Sequence, residues 1–148
     1  MWVVVHLMSG LALGALFPDT WSERPVWLLV TVPAALSLHA LLDLVPHWDY
    51  TRHRLRGLWG CLDVLVTLGS FLVAAFGLGF PGLVLLTGAV SALPDLDVLD
   101  SLLPFERRAR WFPSHWRRYP HGSCGPLPGV LTQAAVVGVS VAVLAFAA

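Results

Sequence analysis

The chain has 148 residues, of which 57% are hydrophobic and 12% charged, with a formal net charge of zero and a mean hydropathy of +0.74. A soluble domain usually carries about a quarter charged residues, so the composition argues against an ordinary soluble core and for one integral membrane domain over residues 1–148, with the lipid bilayer as its solvent and no nucleic-acid partner. The neutral balance hides an asymmetry: every basic residue is Arg, and all but Arg24 fall in two short stretches, 52–56 and 107–118.

Residues 2–17 form a first apolar run near the lower length limit for a membrane-crossing helix, ended by Pro18 and Asp19. Its start, MWVVVHLMSG, lacks the basic region of a secretory signal, so it reads as a retained first span. The link with Trp21, Glu23 and Arg24 is expected at a membrane surface. Residues 26–45 make a second span with Pro33 as a tolerable kink, and this runs straight into PHWDY. The first basic loop, TRHRLRG, follows. Residues 57–80 form a third span interrupted by Asp63, and Phe80, Pro81 and Gly82 mark a reversal. The segment 83–93 is too short to cross alone; continued to 103 it draws PDLDVLD to the membrane surface, as a span or a re-entrant element. The polar stretch 104–128 carries Arg107, Arg108, Arg110, Arg117 and Arg118, and residues 129–147 form the last span. Cys61 and Cys124 make no CxxC pattern and read as unpaired thiols.

Five spans put both Arg-rich loops on one side, which the positive-inside rule makes cytoplasmic, with the N-terminus inside and the C-terminus outside. His6, His39, Asp43 and Asp63 then fall in the inner parts of their spans, and only Asp19 faces the other way. The expected fold is all-α: a polytopic transmembrane helix bundle of about five spans with a polar, metal-site-like cluster at the cytoplasmic side. LALGALFPDT, ALLDLVPHWDY and AVSALPDLDVLD share a faint pattern of apolar helix, proline and acid, which is also general helix-ending grammar.

The stretch SLHALLDLVPHWDY at 37–50 carries the chemistry. His39 and Asp43 are an i, i+4 pair on one helical face, a geometry that can grip one metal ion. Pro46 ends the helical hydrogen bonding, so the chain should turn and bring His47 or Asp49 back towards the pair. The alternative is that His39 and Asp43 are interhelical hydrogen-bonding glue. In PDLDVLD, an extended backbone after Pro94 would present Asp95 and Asp97 to one cation, against a helix-capping role, which is the reading for Asp100. His6 is either a ligand at the depth of His39 or a histidine satisfied by a backbone carbonyl. Asp63 reads as a carboxylate orienting a ligating histidine. His115 and His121, in SHWRRYPHGS, either cap the site and move a proton or are solvated loop residues; His53 is solvated. The arginines set topology and touch headgroups, or Arg52, Arg54, Arg117 or Arg118 binds a phosphate. No Gly-rich phosphate loop or GxSxG elbow is present.

With His6 in the first span, SLHALLDLVPHWDY, ALPDLDVLD and HWRRYPHGS, the chain resembles a group of small bacterial and archaeal integral membrane proteins described as metal-dependent hydrolases, including the LexA-regulated inner-membrane hydrolase family. The resemblance implicates His6, His39, Asp43, Asp95, Asp97 and, more loosely, His115 and His121. The sequence departs from the family in the order of its SHxxxD-like and acidic elements, and in lacking the HRG and TH pairs. The HxxxD pair is also similar to one turn of zinc-dependent phospholipase C. The implied location is a bacterial or archaeal cytoplasmic membrane.

Together these features suggest a membrane-embedded metal-dependent hydrolase acting on a phosphoester or related bond of a lipid-linked or phosphorylated amphipathic substrate. His6, His39, Asp43, His47, Asp95 and Asp97 would be metal ligands, and Asp49, His115 and His121 the proton-handling catalytic groups. A mixed nitrogen and oxygen set suits a divalent metal, Zn or Mn. The alternative is a non-catalytic metal-binding or structural helix bundle.

Overall fold

A computed structural model of the chain describes residues 1–17, 26–99 and 110–147. Asp19, Trp21, Glu23, Arg24, Asp100, Arg107 and Arg108 lie outside these residues. Among the described residues the chain is helical, with no strand beyond one isolated bridge between His47 and Ser123. The helices are α1 (Val3–Ala15), α2 (Val26–Leu44), α3 (Arg56–Leu72, extended by a π turn, Val73–Gly77), α4 (Gly82–Ala92), a short α5 (Leu96–Leu99) and α6 (Pro126–Ala147). Cys61 and Cys124 are both free.

The breaks follow from local chemistry. Pro33 is accommodated inside α2, whereas the reversal between α3 and α4 uses Gly79 at φ 64°, a conformation open to a residue without Cβ. Pro94 does not release the chain into an extended turn: it sits at the start of a 3-10 turn, Leu93–Asp95, that leads into α5. A first-turn proline lacks only an N–H that would have had no helical partner. The expected extended presentation of Asp95 and Asp97 is therefore corrected to a helical one.

α1 is the central helix, packed against α4, α6, α3 and α2. Small residues make its contact with α4 close: a Cβ on Gly10 would lie 2.6 Å from Ser91 Cβ, and one on Gly88 2.7 Å from Leu11 Cδ2. The N-terminal ends of α1, α3 and α6 meet the C-terminal ends of α2 and α4, as shown by Trp2 N–H donating to Gln133, Val3 N–H to Asp63 and His39 to Ser91 O. That end of the bundle also carries the arginines of 52–56 and 110–118.

The distribution of polarity is inverted relative to a soluble bundle. Among the described residues buried polar side chains slightly outnumber buried apolar ones, while Leu65, Phe76, Val139 and Phe146 point outward, Phe76 at 83% and Phe146 at 92% exposure. Among the described residues two helices, Arg56–Gly77 and Pro126–Ala147, are long and apolar enough to cross a membrane; α1, α2 and α4 are shorter apolar helices. Trp2 packs against Trp48, Tyr50 and Trp59 at the polar end.

Candidate metal centre

The sequence dictates where the end of α2 must find partners. The last carbonyls of a helix have no intrahelical donors, and here the segment 119–124 supplies them. Tyr119 Oη donates to Ala40 O (2.6 Å) and Gly122 N–H to Asp43 O (2.8 Å), while His47 N–H donates to Gly122 O (2.6 Å) and Cys124 N–H to His47 O (2.9 Å). Gly122 is required by this approach, since a Cβ there would lie 2.3 Å from Leu44 O. Gly129 is similarly confined, its Cβ position only 2.2 Å from Trp48 N. The chain does turn at Pro46, and the backbone ladder places His121 against His47, with their Nε2 atoms 3.2 Å apart.

The second segment is held by Asp97. Its carboxylate accepts the N–H groups of Trp111 and Phe112, both at 3.1 Å, and the Nδ1–H of His115 at 2.5 Å. Arg110 donates to the Asp97 carbonyl and lies 3.5 Å from its carboxylate. Pro113, Ser114 and His115 form a 3-10 turn that aims Ser114 Oγ at Asp43 Oδ2, 2.6 Å away, and turns the other nitrogen of His115 inward.

At the centre, Asp43 Oδ2, His39 Nε2 and His115 Nε2 form a triangle with sides of 3.3, 3.3 and 3.5 Å. Asp95 Oδ1 lies 3.5 Å from His115 Nε2. His6 stacks on His39 with ring centroids 3.8 Å apart, its Nε2 3.3 Å from Asp43 Oδ1 and 3.8 Å from Asp95 Oδ2. His6, His39 and Asp43 are completely buried.

Tautomers decide what this arrangement wants. The Ser91 carbonyl can only accept, so His39 Nδ1, 2.7 Å from it, carries the proton; Asp97 takes the Nδ1 proton of His115 in the same way. In each neutral ring the Nε2 is then a bare lone pair, and the two lone pairs face each other beside carboxylate oxygens. Protonating both rings would bring two imidazolium cations face to face; one cation between them, or a single proton on His115 Nε2, satisfies both. Ligand atoms about 2.1 Å from a tetrahedral ion are separated by about 3.4 Å, which matches the triangle, while most of these contacts are longer than good N–H···O bonds. Both nitrogens of His6 and Asp95 Oδ2 are buried without a hydrogen-bond partner, and such atoms in a native interior call for an ion or water. Among the described residues, three sets have the spacing that could hold a metal ion: His6, His39 and Asp95; His39, Asp43 and His115; Asp43, His47 and His121.

The loop histidines are tuned by their surroundings. His47 is pushed down to about 4, by burial first and by the nearby Met1 amino group, and His121 is lowered for the same reasons, so both are neutral and able to ligate near pH 7. Burial acts against the charged form of His115, but Asp43, Asp95 and Asp97 outweigh it and raise its pKa. The Met1 amino group is 3.2 Å from Asp43 Oδ1.

The expected ligands His6, His39, Asp43, His47 and Asp95 are gathered in these sets, and the other expected residues stand as follows. His115 and His121 stand among the ligand-competent atoms. Asp97 braces His115 and the 110–112 backbone. Asp49 accepts from Thr51 N (2.9 Å) and Thr51 Oγ1 (2.6 Å), closing a turn at the cavity wall. Asp63 orients no histidine: it accepts Val3 N–H (2.9 Å), Val4 N–H (3.1 Å) and Tyr50 Oη (3.0 Å), capping the start of α1. His53 is exposed. Sequence reading missed Ser114, the Ser91 carbonyl, Gly122 and Gly129; the Gly in HGS was the one available signal for a close backbone approach. A cavity of about 520 Å³ opens above the cluster, with Asp95, His115 and His121 in its lining and Arg52, Arg110 and Arg117 around it. Comparison with protein-family models, curated proteins and solved structures finds no match for this chain.

Proposed function

We propose that the protein is a membrane-embedded, metal-dependent hydrolase of phosphoester or related bonds in an amphipathic substrate, of the kind its motifs resemble. The observation that carries this reading is the triangle of His39, Asp43 and His115 acceptors lying beneath an arginine-lined cavity. His39, Asp43, His115 and Asp95 would hold the ion, with His6 beside them, and neutral imidazole plus carboxylate favours Zn or Mn. Such an ion supplies Lewis acidity towards a phosphoryl oxygen and makes water a better nucleophile at neutral pH.

The chain's own groups supply the rest. Arg117 and Arg52 offer guanidinium donors suited to phosphate oxygens, and Asp49, a carboxylate in the cavity wall, would take a proton from water entering there. The inverted polarity of the bundle, the aromatic group around Trp2 and the two long apolar helices support membrane insertion. With the shorter helices crossing as well, the site and both arginine loops share one face, which the positive-inside rule makes cytoplasmic.

The test is turnover of a phosphoester panel, including lysophosphatidic acid and an aryl phosphate, by detergent-purified protein loaded with Zn or Mn. Activity that disappears in His39→Ala and Asp43→Ala variants eluting as folded species is expected. Tight metal binding without turnover of any substrate would leave a non-catalytic metal protein.

A further inference from the structure

We infer that the site takes two divalent cations, with Asp43 as the carboxylate shared between them. This rests on the metal-binding half of the function proposed above and not on hydrolysis. Asp43 belongs both to the set with His39 and His115 and to a separate set with His47 and His121, in which one ligand atom from each residue lies within 4.8 Å of the others. The two sets have no histidine in common. The two oxygens of Asp43 also face different neighbours: Oδ2 faces His39, His115 and Ser114, and Oδ1 faces His6 and the Met1 amino group.

The second set is built in the same manner as the first. His47 Nδ1 lies 2.8 Å from Val45 O, an acceptor only, so its proton is on Nδ1 and its Nε2 is a bare lone pair aimed at His121 Nε2. Gly122, next to His121, bonds to the backbone of both Asp43 and His47. One short ladder therefore fixes all three residues relative to each other, the rigid support a metal site needs. His121 donating to His47 would satisfy that pair without a cation, and the experiment separates the two cases.

Charge gives the second position its use. The first set contains Asp43 and has Asp95 Oδ1 3.5 Å from His115 Nε2 and Asp97 behind His115, whereas the second has two imidazole rings and a share of Asp43. A dication there keeps uncompensated positive charge, and His121 is in the cavity lining. Two ions held there would stabilise both the attacking and the leaving oxygen of an in-line displacement at phosphorus.

The experiment is Mn(II) loading of the full-length, detergent-purified protein, read by metal-to-protein ratio after desalting and by low-temperature electron paramagnetic resonance. Two ions per chain with an exchange-coupled signal are expected for the wild type. In a His47→Ala, His121→Ala double variant the ratio should fall to one and the signal become that of isolated Mn(II). One ion in the saturated wild type, two ions without coupling, or an unchanged ratio in the double variant would overturn the proposal while leaving a mononuclear hydrolase standing. No bound ion in any sample would remove both readings. Should the double variant not elute as a folded species, the wild-type coupling and the single variant His121→Gln, altered at a partly exposed residue, decide the matter.

Discussion

Asp43 and Asp63 are the same residue type, both buried, on two apolar helices that reach the same end of the bundle, yet they do opposite work. Asp63 is surrounded by donors: two amide N–H groups at the start of α1 and the hydroxyl of Tyr50. It is a carboxylate at a helix N-terminus, where orphan N–H groups and the helix dipole favour negative charge. Asp43 has two donors, the Ser114 hydroxyl on Oδ2 and the Met1 amino group on Oδ1, and around it imidazole nitrogens that, at His39, His47 and His115, have protons on their far sides. A carboxylate whose neighbours all bring hydrogens is complete in itself; one that also faces several imidazole lone pairs has room for a cation on that side. The environment, not the residue, separates a structural acid from a ligand.

The sharpest way to break this comparison is to remove each acid in turn. Asp43→Ala should abolish stoichiometric metal binding, seen as loss of Zn or Mn by mass spectrometry in protein that still elutes as a folded species; retained metal would mean that Asp43 is glue. Asp63→Ala should do the reverse. It strands buried N–H and O–H groups at about 1–3 kcal/mol each, so the unfolding free energy should drop by about 3 kcal/mol or more while the metal ratio stays at its wild-type value. A smaller effect is expected at Asp97, which reaches the ligand atoms through His115. Asp97→Asn leaves the fold in place but weakens control of the His115 tautomer, and metal affinity should fall about 10- to 100-fold in a competitive chelator titration. An unchanged affinity would show that the 2.5 Å contact merely holds the loop.

The same pair shows what could be read in the sequence. His39 and Asp43 were legible because helical i, i+4 spacing fixes their relation without knowledge of the fold. The turn at Pro46 that returns His47 follows from proline chemistry, and the sharing of one end by the polar groups follows from the placement of the arginines. Asp63 was legible as a buried acid but not as a cap, because its partners, Val3, Val4 and Tyr50, are set by how α1 meets α3. Asp95 and Asp97 were expected to alternate on an extended chain; the helical turn through Pro94 sends one to the cluster and the other to the 110–115 segment. His115 and His121 are drawn in by long-range contacts, with Asp97 and with the end of α2, that no local pattern encodes. The helices emerged close to their apolar runs, since their bounds depend on proline, glycine and charge along the chain.

The finest test of the contrast lies at Tyr50, whose hydroxyl is the one side-chain donor from the 47–52 turn to Asp63. Tyr50→Phe keeps the ring that packs against Trp2 and removes only that hydrogen bond. Asp63 Oδ2 retains the Val3 N–H at 2.9 Å, so the carboxylate is not stranded, and the cost should be a single hydrogen bond to a charged acceptor, about 1.5–3 kcal/mol. It should appear in the unfolding midpoint alone, with metal ratio and chelator-competition affinity both unchanged. If the metal affinity moved with stability, the α1 cap and the histidine cluster would be mechanically one unit, because α1 carries His6 one turn beyond the amides that Asp63 holds. If only stability moved, the two acids would be as independent as their surroundings indicate.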